Sequence, residues 1–74
     1  LRGVLEEQIA SNDPPETAST FARLTREGMS EDRVWRMLSA VLLQELNAIV
    51  AEEREFDLAA YVAALHRLPE LVDR

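Results

Sequence analysis

The sequence predicts an all-α fold, a four-helix array around a long central third helix spanning about residues 31–53. Three observations carry that reading. Apolar residues recur at spacings of three and four, and nowhere alternate with polar ones over a strand length. Only 2 glycines occur among the 74 residues. Helix-starting residues punctuate the chain near Asp13, Ser30 and Asp57. The length fits a single helical domain over 1–74, near the lower limit for one core. The chain opens at Leu1 rather than methionine, which fits a segment of a longer protein.

The first helix, about Leu1 to Ser11, places Leu1, Val4, Leu5, Gln8 and Ile9 on one side. Gly3 weakens its start by up to about 1 kcal/mol relative to alanine. Asp13-Pro14-Pro15-Glu16 then reads as a capping box. Asp13 accepts from the opening amides, Pro14 takes the first helical position, and Glu16 sits three residues after the cap. The second helix runs to about Glu27 with Ala18, Phe21 and Leu24 facing inward. Gly28 takes the left-handed conformation that ends it, and Met29 reaches back to Leu24 as in a Schellman stop.

Ser30 caps the third helix, whose first turn holds Glu31 and Asp32 against the positive end of the dipole. At 100° per residue Trp35, Leu38, Val41, Leu42, Leu43, Leu46, Ile49 and Val50 spread over an arc of about 200°. So wide an arc demands cover on more than one side. After the polar break Glu52-Glu53-Arg54-Glu55, Asp57 caps a fourth helix, about Leu58 to Leu68, with Leu58, Tyr61, Val62, Leu65 and Leu68 inward. Pro69 ends it or restarts a turn through Glu70-Leu71-Val72.

Composition narrows the function classes. A net charge of −6, from 14 acids and 8 bases, repels nucleic acid and anionic lipid at long range. The longest unbroken apolar run, Leu58 to Leu65, is far short of the roughly 20 residues of a membrane span. No basic start followed by an apolar stretch suggests a signal peptide. With 0 cysteines there is no disulfide and no thiolate metal site, in keeping with a reducing compartment, and a cytoplasmic location is expected.

Few residues suggest chemistry. Glu45 breaks the pattern of its own helix, falling inside the apolar arc among Leu38, Val41, Leu42 and Ile49. Buried and alone it would cost several kcal/mol as an anion, so it must pair, protonate or reach an edge. One reading is a metal ligand or general base; the plainer one is a partner arginine. A carboxylate-bridged metal pair would need Glu-x-x-His on two helices, but Ala63 stands three before His66, the only histidine. Glu45 and Glu52 lie about 10 Å apart along the helix, too far for one ion. No metal, no cofactor and no catalytic residue is assigned.

Phe21 to Leu38 also resembles a DNA-binding helix-turn-helix, with Gly28 at the turn and Val34 and Met37 packing inward. Leu24 stands where such motifs need a small residue, and the reading helix would open with Glu31 and Asp32, the wrong sign beside phosphate. Nucleic acid is therefore the lesser alternative.

Pieces of the chain resemble a small bacterial family of uncharacterised helical proteins: Glu7-Gln8-Ile9-Ala10, the Asp13-Pro14-Pro15-Glu16 start, Arg23-Leu24 with Gly28 following, and Val41 to Leu46. Members carry a His-Glu-x-x-His-like stretch where this chain has Asp32-Arg33-Val34-Trp35-Arg36, so no metal role transfers. The resemblance implies an all-helical fold and no assigned activity. The expectation is a non-enzymatic interaction module in the bacterial cytoplasm, a homodimer or a partner for another protein, with no membrane contact. Trp35, Leu42, Leu46 and Ile49 are the candidate interaction residues and Glu45 the candidate buried polar group.

Overall fold

The computed structural model describes residues 1–70. It holds four helices: α1 Arg2–Ser11, α2 Pro15–Arg26, α3 Glu31–Glu52 and α4 Leu58–Arg67. The all-α class stands, and every boundary falls within a residue of its sequence expectation. Leu71 and Val72, part of the expected extra turn, lie outside the described residues. At 1.5 Å per residue the 22-residue α3 is about 33 Å long. It packs on α1, α2 and α4, and α2 likewise touches all three other helices. The hub is thus a pair of helices rather than α3 alone.

Helix stops are built from the backbone. After α2, Gly28 adopts φ 96°. Its N–H donates to the Thr25 carbonyl at 3.0 Å and the Met29 N–H to that of Leu24 at 3.2 Å, the two bonds of a Schellman motif. Asn12, at φ 57°, closes α1 in the same way. Its N–H reaches the Ile9 carbonyl at 3.2 Å, and the Asp13 N–H reaches that of Gln8 at 3.0 Å. Asparagine tolerates this conformation better than most side chains.

The capping box on Asp13 does not form. Pro14 is the extended residue before the helix, at φ −78° and ψ 148°, and no side chain caps α2. The reason is local: Pro15 disfavours helical geometry at the residue preceding it and pushes Pro14 to extended backbone, which moves the first helical position to Pro15. Ser30 does cap α3, accepting from the Arg33 N–H at 3.3 Å, and Asp57 caps α4, accepting from Ala60 N–H at 3.1 Å.

The core consists of Leu5, Leu24, Val34, Met37, Leu38, Val41, Leu42, Tyr61, Leu65 and Leu68. Half of these come from α3, at the i, i+3, i+4, i+7 spacing of a single stripe. By length and composition alone α3 would also serve to cross a membrane. In the fold that stripe is the centre of the core, which accounts for its apolar character. The inner face of α2 is rotated from expectation: Thr17, Thr20 and Leu24 are buried, whereas Ala18 and Phe21 are half-buried.

At Gly28 an added Cβ would meet nothing within 4 Å, so its substitution tests the backbone alone. Gly28→Ala is expected to lower stability by about 1–2 kcal/mol, measured by urea unfolding, through the left-handed φ and not through a clash.

Candidate functional site

Glu45 is the buried acid among the described residues, 8% exposed. It lies on the inner stripe of α3, one turn beyond Val41 and Leu42. Two partners come from the chain that follows the helix. Arg54 meets the carboxylate with both terminal nitrogens, Nη1 to Oε2 at 2.9 Å and Nη2 to Oε1 at 3.0 Å. The Asp57 N–H donates to Oε2 at 3.0 Å. Planar guanidinium and planar carboxylate match as a fork on a fork, the strongest geometry available to such a pair.

Arg54 is held in turn. Its Nε donates to Glu52 Oε1 at 3.1 Å and its Nη1 to the Glu55 carbonyl at 2.9 Å. The bend between α3 and α4 therefore winds around one guanidinium, and the residue that caps α4 is tied to the middle of α3. Hydrogen bonding from Arg54, then from the Asp57 amide, holds the Glu45 carboxyl below its ordinary value of 4.5, outweighing burial. The same contact raises Arg54. Both oxygens of Glu45 are occupied by the chain itself. Among the described residues no group of three or more His, Asp or Glu is placed to hold a metal ion.

A second polar node joins three helices. The Gln8 side-chain carbonyl accepts from Thr17 Oγ1 at 2.8 Å and from the Tyr61 hydroxyl at 3.0 Å. It thereby links α1, α2 and α4, although α1 and α4 make no close backbone approach. Burial pushes the Tyr61 phenol upward, which keeps it a neutral donor. Nearby, Arg23 closes the end of α4, donating from Nη1 to the Leu68 carbonyl at 2.9 Å and from Nη2 to that of Leu65 at 3.1 Å. The Leu65 carbonyl also accepts from the Leu68 N–H at 3.2 Å, so Arg23 adds a second donor to it while binding the Leu68 carbonyl just past the helix end.

The candidate interaction residues divide. Leu42, 3% exposed, belongs to the core and is unavailable to a partner. It sits on the wheel beside Leu38 and Glu45, on the side of α3 that forms the core. Trp35 is half-buried and largely covered by its own chain, with the Phe21 ring at 5.0 Å and the Arg2 guanidinium 4.5 Å from its ring centre. Its buried Nε1 is without a hydrogen-bond partner. A shallow groove runs past it, lined by Arg2, Asp32, Trp35, Arg36 and Ser39. Ile49 is half-buried. Leu46 is 39% exposed, and with it Leu43 at 47% and Val50 at 78% stand open. These three share one face of α3, spaced three and four residues apart.

The comparisons leave the chain with no assigned family. No family model matches the sequence, no curated protein resembles it, and no solved structure matches it. The likeness to a small bacterial helical family rests on the short sequence pieces alone, and function must be argued from geometry. Two features of this geometry escaped sequence reasoning. Arg54 sits in a polar break that reads as solvent-exposed, and nothing marks Arg23 as the cap of a helix more than forty residues away. Leu43 and Val50 were visible within the apolar arc, but their exposure depended on where the other helices settled.

Glu45→Gln is expected to cost roughly 1–3 kcal/mol at neutral pH, because it removes the charge from a hydrogen-bonded pair with one buried member. Since folding lowers the Glu45 value, its contribution is complete above 4.5 and fades as pH falls through the folded value. Thermal unfolding from neutral to acid pH should show the gap between wild type and Glu45→Gln narrowing below 4.5. A gap that stays constant would contradict the ion pair.

Proposed function

We propose that this chain is a non-enzymatic protein-interaction module whose docking face is the outer side of α3 around Leu43, Leu46 and Val50. The observation that carries the reading is the exposure of these three aliphatic side chains in line on one helix. A soluble domain gains nothing by leaving a contiguous apolar strip in water, and such strips are the usual mark of a contact surface. The inner stripe of α3 is filled by α1, α2 and α4, so the outer strip is what remains of the wide arc. A cytoplasmic setting agrees with the lack of cysteine.

The alternatives have less behind them. A metal or acid–base role for Glu45 would need a free carboxylate oxygen, and both are occupied by Arg54 and the Asp57 amide. Duplex binding through α2 and α3 would bring Glu31 and Asp32, in the first turn of α3, toward phosphate.

The docking face can be tested without knowing the partner. In dilute solution a neutral soluble nitroxide should broaden the methyl resonances of Leu43, Leu46 and Val50 and spare those of Leu38 and Leu42. Protection of the three strip residues in the dilute monomer would mean that the chain covers them itself, and the interaction reading would fail.

A further inference from the structure

Extending the strip in both directions along α3 gives Arg36, Ser39, Leu43, Leu46, Val50 and Glu53. The spacings are three, four, three, four and three, the repeat of a coiled-coil seam. Arg36, Leu43, Leu46, Val50 and Glu53 are exposed and Ser39 is half-exposed. Glu53 is the residue that closes α3, in the left-handed conformation at φ 52°. The seam is about 25 Å long, with a cation at one end and an anion at the other.

We infer that this face binds a second copy of the chain, with the two α3 helices antiparallel about a twofold axis between positions 44 and 45. This rests on the docking-face reading above and names its occupant. The strip complements itself in charge and in the placement of its apolar residues. In an antiparallel pair each a position meets a d position of the other helix. Leu43 then meets the partner's Leu46 in two central layers, and Val50 meets the partner's Ser39 in the next two. Arg36 meets the partner's Glu53 at both ends. A twofold contact must use one patch on both copies, and this patch satisfies itself.

Other arrangements fail on the same residues. A parallel pair sets Arg36 against Arg36 and Glu53 against Glu53. Sliding the antiparallel pair by a heptad either way puts Leu43 against the partner's Glu53, or Leu46 against the partner's Arg36, and strands a charge on a leucine. Another acidic protein would gain from Arg36 but not from Glu53. Only a surface with both signs at this separation answers both ends, and the chain carries one.

The seam offers three exposed aliphatic side chains per copy, few beside the roughly 20–30 residues a side of a standard interface, and two copies of net charge −6 repel. The dimer is therefore weak, with a dissociation constant on the order of 10 μM or above.

Sedimentation equilibrium of the whole chain, from micromolar to millimolar, tests this. Wild type should pass from monomer to dimer, and Leu46→Glu should remain monomeric with an unchanged helical circular dichroism spectrum. Arg36→Glu and Glu53→Arg should each weaken association about tenfold, since each turns two symmetry-related attractions into repulsions. The double variant Arg36→Glu/Glu53→Arg should restore it to within about threefold of wild type. A wild type that stays monomeric at millimolar concentration overturns the second copy as occupant; the nitroxide experiment then decides separately whether the face is open. Dimerisation unaffected by Leu46→Glu overturns the seam, and failure of the double variant to recover overturns the antiparallel register.

Discussion

Burying Glu45 in the middle of α3 creates a demand that the chain must meet close by, and the way it is met shapes the second half of the fold. An anion on the inner stripe of a core helix is tolerable only when its lone pairs are taken up. Arg54 and the Asp57 amide take them up, and both lie in the bend that follows the helix. The bend is thereby folded back toward α3, and α4 starts where Asp57 is held. From that start Tyr61 reaches Gln8, and Leu65 and Leu68 come under Arg23. One ion pair thus sets the course of α4, and through it the closure of the core.

The polar contacts form a pattern suited to a domain this small. A short chain buries a modest apolar area and has neither disulfide nor thiolate site to supplement it. Here three side-chain nodes, at Glu45, Gln8 and Arg23, each join segments that apolar packing alone would hold loosely. Each also answers a specific need: a buried charge, a buried threonine and phenol, and the tie between α2 and the carbonyls at the end of α4. Apolar contacts are non-directional, whereas these bonds have geometry, so they select one packing of the four helices from several that would bury similar area.

The strip on α3 is the other side of the same constraint. A long helix with an apolar arc of about 200° cannot be wrapped by three shorter ones that must also pack on each other. The helices gather on the side of Glu45, where polar anchors hold them, and the far side is left open. The proposed role as an interaction module rests on that geometric shortfall. The opposite charges at the two ends of the seam are what the proposal of a second copy as occupant rests on.

Helix number, helix type and boundaries were legible in the sequence because they depend on neighbours within four residues. The period of apolar residues, Gly28 in its Schellman stop, and the caps at Ser30 and Asp57 are all local physics. Even the misplaced start of α2 has a local remedy, since Pro15 restricts Pro14 whatever the rest of the chain does. That Glu45 needed a partner was legible too, as a matter of solvation. That the partner is Arg54, that Thr17 and Thr20 are inside, that Leu42 is core and Leu43 surface, and that Arg23 ends α4 were decided only in three dimensions. Those outcomes turn on how helices are rotated against one another. Rotation is set by the sum of many weak contacts between residues far apart in sequence, and no local pattern encodes it.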